Sequence, residues 1–234
     1  VTKQKLKQFG YELFNGAPSS FMPATDIPIP SEYVMGPGDN IIVQLYGKEN
    51  QSHSLTINRE GEIQFPNLGP MVVAGMSFTD VKALIGTTVS EQMIGVKVSV
   101  TVGALRSIRI FILGAAKLPG SYTINSLSTM TNALFASGGI SKAGSLRNIQ
   151  LKRGGKLVTS LDLYDLLLSG DTSSDTRLLP GDVIFIPSIG QTVGVSGEVR
   201  RPAIYELKAE TTSTPAVALA VGFLPTHYPP WARS

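Results

Sequence analysis

The chain has 234 residues, of which 42% are hydrophobic and 16% charged, a composition that favours a folded protein over a disordered one. The formal net charge is +3, from 20 basic and 17 acidic side chains, too small an excess to indicate a nucleic-acid-binding surface. The absence of cysteine excludes disulfides, thiol catalysis and cysteine–zinc sites.

The first 30 residues are predicted to form an extended N-terminal segment, because four prolines between residues 18 and 30 disfavour a helix. We expect this segment to pack on the domain that follows it. The expected anchors are Phe9, Tyr11, Leu13, Phe14 and Phe21. The chain begins at Val1 without a signal peptide and has no apolar run long enough to span a bilayer, so we interpret it as an excised or processed piece whose membrane anchor lies elsewhere.

Residues 31–104 are predicted to form a small α+β domain with one helix and a mixed sheet. Alternating apolar residues predict strands near 41–46, 55–57 and 63–65 and a clear half-buried strand at 96–102. Ser77, with Asp80 three residues later, has the pattern of a capping box and predicts the start of a helix whose apolar residues follow at helical spacing.

An internal repeat occupies the rest of the chain, with a constant offset of 83 residues between Gly114 and Gly197 and between Tyr122 and Tyr205. Each copy is predicted to contain a strand, a turn with glycine and proline, a second strand and a helix. The first repeat module, residues 105–189, continues through strands near 149–151, 157–161 and 183–186.

The second repeat module, residues 190–225, stops before the later strands of the repeat, so we expect the native chain to continue. The last residues, 226–234, break the repeat pattern, which favours a non-native tail.

A turn of proline, glycine and aspartate occurs twice, at 37–39 and at 180–182, each time directly before a β-branched strand. Proline presets φ, glycine permits the reversal, and the aspartate can accept hydrogen bonds from backbone donors beyond the turn. Turn chemistry therefore accounts for Asp39 and Asp182 without a catalytic role.

No catalytic, cofactor-binding or metal site is predicted. The two histidines are assigned to an exposed loop (His53) and to the tail (His227), and no nucleophile elbow, phosphate loop or dinucleotide motif occurs. Four aspartates lie around a short predicted helix at 163–168: Asp162, Asp165, Asp171 and Asp175. Paired carboxylates could in principle hydrolyse glycosides or bind calcium, but we interpret these four as solvated helix-cap and loop residues.

The densest basic cluster, Lys152 and Arg153 with Lys156, is interpreted as a solvated hairpin tip rather than a phosphate site. No nucleic-acid partner is expected.

Three blocks of the 31–104 domain resemble the polysaccharide export domain of capsule and exopolysaccharide exporters in order and spacing. They read YVMGPGDNI at 33–41, GEIQFPNLGP at 61–70 and VAGM at 73–76. The repeat resembles two β-grasp modules of the soluble ligand-binding (SLBB) type, the second incomplete, which follow that domain in the same family. The family-motif positions, for which we predict structural roles, are Gly36, Pro37, Gly38, Asp39, Gly61, Pro66, Gly69, Gly75, Gly114, Pro119, Gly120, Tyr122, Pro180, Gly181, Asp182, Gly197, Pro202 and Tyr205.

The resemblance implies a non-enzymatic protein in the periplasm and outer membrane of a Gram-negative bacterium. It implies a homo-oligomeric ring in the full-length form, a conduit for polysaccharide, and an inner-membrane co-polymerase partner of the tyrosine-kinase type. Two alternatives remain open: a β-grasp module that binds a soluble sugar to sense or gate export, and a polysaccharide-modifying enzyme.

Overall fold

The computed structural model describes residues 6–16, 29–48, 50–197, 199–208 and 219–220, which form an α+β fold as predicted. The chain divides into two units. The smaller unit contains Met22–Ile108 with Asn125–Leu127, and the larger unit contains Val1–Phe21, Arg109–Ile124 and Ser128–Ser234. None of the helices among the described residues combines the length and the apolar character needed to cross a membrane.

The smaller unit packs one helix against a sheet and a separate hairpin. Its elements are β1 (Asn40–Gly47), β2 (Gln51–Thr56), β3 (Glu62–Phe65), β4 (Gly69–Val72), α1 (Phe78–Gln92) and β5 (Val96–Val102). The strand order is β2-β1-β5, with both pairs antiparallel, and β3 pairs with β4. In β1, Ile41, Val43 and Leu45 are buried, as the alternation predicts.

Helix α1 begins where the capping pattern predicts. The Ser77 hydroxyl accepts a hydrogen bond from the Asp80 backbone N–H at 3.1 Å and donates one to the Asp80 carboxylate at 2.6 Å. The helix buries Val81, Ile85 and Val89 in the same apolar cluster as the inward residues of β1. This cluster is the core of the smaller unit.

The larger unit is built on a five-stranded sheet. Its elements are β6 (Ser107–Gly114), β7 (Gly120–Asn125), α2 (Met130–Ala136), β8 (Ile149–Arg153), β9 (Lys156–Leu161), α3 (Leu163–Ser169), β10 (Val183–Ile186), β11 (Thr192–Val195) and β12 (Ala203–Glu206). The strand order of the sheet is β7-β6-β10-β8-β9, with β10 parallel to β6 and antiparallel to β8. Strands β11 and β12 form an antiparallel pair of their own. The predicted strands of the first repeat module are therefore all present.

Residues 6–16, which we call the N-terminal strap, belong to the larger unit. The strap runs parallel to β12, where the Phe9 N–H donates to the Ile204 carbonyl and the Ile204 N–H donates to the Lys7 carbonyl, both at 2.9 Å. The Phe9 ring lies 5.1 Å from the ring of Tyr164 and 4.9 Å from that of Tyr205.

The prediction that this segment packs on the domain after it is therefore wrong for the described part of the strap. A short 3₁₀ helix, Tyr11–Phe14, follows the strand-like residues, and the ring of Phe14 lies 5.2 Å from that of Phe135. The aromatic side chains of the strap do pack on a folded surface, but on that of the repeat modules. The hydrophobicity of a side chain does not specify which apolar surface it will contact. Phe21 lies outside the described residues.

Candidate functional site

The first proline–glycine–aspartate turn buries its carboxylate completely: Asp39 is 0% exposed. It accepts hydrogen bonds from the backbone N–H groups of Gly36 at 2.9 Å and Arg106 at 2.7 Å and from the Tyr33 hydroxyl at 3.0 Å. The Arg106 guanidinium forms a short ion pair with the same carboxylate and lies over the Tyr33 ring. The carboxylate therefore joins the turn to a segment 67 residues away.

The second turn repeats this arrangement. Asp182 is 0% exposed and accepts from the Leu179 backbone N–H at 2.8 Å, the same three-residue step as from Gly36 to Asp39. Arg153 donates two parallel hydrogen bonds to it, each 2.8 Å, and this contact raises the pKa of the arginine. Both turns therefore consist of a buried aspartate, a preceding backbone donor and an arginine.

These contacts bear on two predictions. Asp39 accepts a hydrogen bond from a backbone donor beyond its turn, the Arg106 N–H, as predicted, and in each turn a further backbone donor lies three residues before the aspartate. The hairpin tip at Lys152–Lys156 is present, but Arg153 is not a freely solvated cation because it pairs with Asp182. Neither arginine could be assigned from sequence spacing.

The three motif blocks of the smaller unit bind one another through their backbones. The Gly75 N–H donates to the Met35 carbonyl at 2.9 Å, and the Val73 N–H donates to the Gly61 carbonyl at 2.9 Å. Gly61 has φ of 87°, and a Cβ at this position would lie 2.7 Å from the Ala74 Cβ. The three blocks are therefore parts of one hydrogen-bonded structure.

The remaining motif positions of this unit lie in turns. Pro66 follows β3 directly, and Gly69 begins β4 with φ of 80°, so both belong to the β3–β4 hairpin. Pro37 and Gly38 form the first turn, with φ of 93° at Gly38.

The larger unit reproduces the 83-residue repeat in detail where both copies are described. Gly114 and Gly197 both have positive φ, 82° and 98°. The Tyr122 hydroxyl donates to the Leu118 carbonyl, and the Tyr205 hydroxyl donates to the Arg201 carbonyl, in each case four residues earlier. Pro119 lies directly before β7, which begins at Gly120, and Pro202 lies directly before β12, whereas Pro180 and Gly181 belong to the separate turn that ends at Asp182. Residues 209–218 and 221–225 of the second copy lie outside the described residues.

A buried polar cluster joins the two repeat modules, and no local pattern in the sequence predicts it. Glu206 of β12 is 6% exposed and accepts hydrogen bonds from the backbone N–H groups of Leu146 at 3.0 Å and Gly190 at 3.1 Å. Its own N–H donates to the Tyr164 hydroxyl at 2.9 Å. Burial raises the pKa of the Tyr164 hydroxyl to about 12; the Glu206 backbone hydrogen bond lowers it, and the Glu206 carboxylate raises it.

Asp162 lies in the same region and is 4% exposed, which corrects the prediction of a solvated cap. It does cap α3 by accepting from the Tyr164 N–H at 2.9 Å, but it also pairs with Arg147 at 3.2 Å and Lys208 at 3.4 Å. The cluster holds β12 against the first repeat module with hydrogen bonds that are shielded from water.

The other acidic candidates do not converge on a site. Asp165 and Asp171 are exposed, whereas Asp175 accepts from the Thr131 backbone N–H at 2.9 Å. Within the described ranges, no three histidine, aspartate or glutamate side chains are grouped so that they could hold a metal ion. His53 lies within β2 and is half-buried, not in an exposed loop, with its ring 5.5 Å from that of Phe65. His227 and the tail lie outside the described residues.

Burial raises the pKa of the Tyr33 hydroxyl to about 12; the Ser126 hydrogen bond lowers it, and the Asp39 carboxylate raises it. Since this folded-state pKa lies above the ordinary value of 10.0, the stabilisation from the protonated hydroxyl is complete below pH 10 and is lost as the pH rises through 12.

We expect Tyr33→Phe to be less stable than the parent by about 1 kcal/mol at pH 8, because it loses the hydroxyl hydrogen bonds, but to lose less further stability between pH 9 and pH 12. Urea unfolding across this range tests the prediction. Tyr46→Phe controls for the loss of a tyrosine hydroxyl at an exposed position. The prediction would be contradicted if the free energy of unfolding of Tyr33→Phe and that of the parent fell equally with pH over this range.

The smaller unit is thus closed by three motif blocks, and the larger unit contains two copies of one repeat. Comparison with known families gives the class. Residues 27–103 match the polysaccharide biosynthesis/export protein family, and residues 108–186 and 192–229 each match an SLBB domain. The chain therefore contains an export domain of the polysaccharide biosynthesis/export protein family, followed by two SLBB domains.

Two relatives illustrate the similarity. The chain is 29% identical over 204 residues to the polysialic acid transport protein KpsD of Escherichia coli, covering 86% of this chain and 36% of that protein. It is 32% identical over 178 residues to the EPS I polysaccharide export outer membrane protein EpsA of Ralstonia solanacearum, covering 74% of this chain and 47% of that protein. The chain therefore spans about a third to a half of the length of these relatives.

Proposed function

We propose that this chain is the periplasmic part of an outer-membrane polysaccharide export protein of a Gram-negative bacterium. In the full-length homo-oligomer, its domains form part of the wall of a ring-shaped conduit through which capsule or exopolysaccharide passes. The chain performs no chemistry on the polymer, and an inner-membrane co-polymerase of the tyrosine-kinase type delivers the polymer to it.

The observation that carries this proposal is the order of the matches to known families, an export domain first and two SLBB domains after it. The relatives, a polysialic acid transport protein and a polysaccharide export outer membrane protein, support the same function.

The geometry of the larger unit suits a conduit wall. The strap, β12 and the buried cluster around Glu206 hold the two repeat modules as one unit. A wall segment that must keep its shape while a polymer slides past benefits from such fixed contacts between modules. Buried ion pairs and hydrogen bonds of this kind favour one arrangement over others.

The mass of the detergent-extracted full-length protein, measured by light scattering, tests the ring. We expect one large multiple of the subunit mass, since closed cyclic assemblies have a defined number of subunits. This chain measured alongside shows whether its domains suffice for assembly. A full-length protein that is monomeric would contradict the ring.

Export itself is tested separately, in cells that lack the full-length gene. Restoration of surface polysaccharide by the full-length protein is expected, with polymer retained in the periplasm when it is absent. Surface polymer that is unchanged by loss of the gene would contradict an export function.

A further inference from the structure

The strap and the first repeat module enclose an open groove of about 680 Å³, whose walls lie wholly within the larger unit. Pockets that hold small molecules usually have volumes between roughly 300 and 1,000 Å³. The groove therefore has room for a few sugar rings. It is not used by any of the motif turns or by the cluster around Glu206.

Positive charge dominates the charged side chains of the groove. Lys7, Lys117 and Lys142 line it, together with a single carboxylate, that of Glu12. Lys7 lies 3.7 Å from Glu12. Among the described residues, no ion pair occupies Lys117 or Lys142, so two ammonium groups are available to a ligand.

The fold brings these two lysines to one wall. The Lys117 N–H donates to the Gly139 carbonyl at 2.9 Å, and the Ser141 N–H donates to the Ala115 carbonyl at 3.0 Å. These bonds pair the segment after β6 with the segment after α2, so that Lys117 and Lys142 stand on neighbouring stretches of backbone. Their Cα positions are set by hydrogen bonds rather than by a free loop.

The strap forms the opposite wall and is fixed to the first module. The Tyr11 hydroxyl donates to the Gly144 carbonyl, and the Gln8 amide donates to the Lys142 carbonyl at 3.2 Å. Gln8 and Asn15 from the strap and Ser141 from the module line the groove as neutral polar groups. Amides and hydroxyls of this kind can both donate to and accept from sugar hydroxyls.

We propose that this groove binds a short acidic oligosaccharide, with Lys117 and Lys142 contacting its carboxylates and the neutral polar groups contacting its hydroxyls. A neutral sugar would leave both ammonium groups unused. A nucleic acid would need a longer basic track and stacked aromatic platforms. The inference rests on the proposed function, because the exported polymer is the source of such a ligand, and it implies that this polymer carries acidic residues.

The test is a titration of the chain with tetragalacturonate, an acidic oligosaccharide, and with neutral maltotetraose, followed by nuclear magnetic resonance. We expect saturable shifts with tetragalacturonate at groove residues, weaker at high salt because exposed charges are screened. Little or no response to maltotetraose is expected.

The double variant Lys117→Gln with Lys142→Gln is expected to bind tetragalacturonate roughly tenfold more weakly, since each exposed ion pair contributes modestly. Lys156→Gln, at the exposed hairpin tip on β9, is the matched control and should bind like the parent.

Several results would overturn the inference: no saturable binding, equal binding of both tetrasaccharides, or an affinity unchanged by the double variant. The export assay in cells keeps this failure separate from that of the proposed function. A chain that does not bind tetragalacturonate, while the full-length protein still restores surface polysaccharide, refutes the groove alone.

Discussion

Replacement of Asp39 by asparagine is expected to lower the free energy of unfolding by about 3 kcal/mol, since loss of one partner from a buried ion pair leaves the other charge uncompensated. Asp39 is fully buried and receives hydrogen bonds from Gly36, Tyr33 and Arg106. The asparagine amide that replaces the carboxylate has only one acceptor oxygen. Its NH₂ group would point towards N–H and O–H groups that donate to the carboxylate in the parent. Because the Arg106 side chain is 24% exposed and can recruit water, we place the effect at the lower end of the range for buried pairs.

Chemical unfolding at neutral pH measures this effect. Glu60→Gln removes one negative charge from an exposed turn of the same unit and should change stability by less than about 0.5 kcal/mol. Adding Arg106→Met to Asp39→Asn should recover part of the loss, because the unpaired cation is then absent. If Asp39→Asn is as stable as Glu60→Gln, the buried carboxylate does not hold the turn.

The second large effect is expected at Gly114, where alanine should lower stability by about 3 kcal/mol, from left-handed backbone strain and a steric clash. Gly114 has φ of 82°, and a Cβ there would lie 2.1 Å from the Ile186 carbonyl oxygen. That oxygen accepts a hydrogen bond from the Ala115 N–H, so it cannot move away without loss of the contact between β6 and β10.

The repeat supplies the matched control. Gly197 occupies the equivalent position with φ of 98°, but a Cβ there would meet none of the described residues within 4 Å beyond its chain neighbours. Gly197→Ala should therefore show the backbone strain alone, about 1 kcal/mol. Thermal and urea unfolding of both variants separates the two contributions. Equal losses at the two glycines would show that the clash with Ile186 is relieved without cost.

Local patterns in the sequence determined the elements of both units. The alternation in β1, the Ser77–Asp80 cap of α1 and the left-handed glycines of the repeat all lie where the sequence predicts them. Each depends on residues within a few positions of one another, whose geometry is dictated by backbone sterics and short-range hydrogen bonds. The repeat could also be recognised from the sequence, because two copies of one residue pattern are expected to adopt the same local structure.

Only the tertiary structure decided which distant groups meet. Arg106 reaches Asp39 across 67 residues, and Glu206 reaches Leu146 across 60. The strap was expected on the domain after it and lies instead along β12. The charge or hydrophobicity of a side chain determines whether it needs a counter-ion or an apolar surface. It does not determine which of the available partners provides that contact. That choice depends on how the strands within each unit are ordered in space, and the groove and the buried cluster arise from that order.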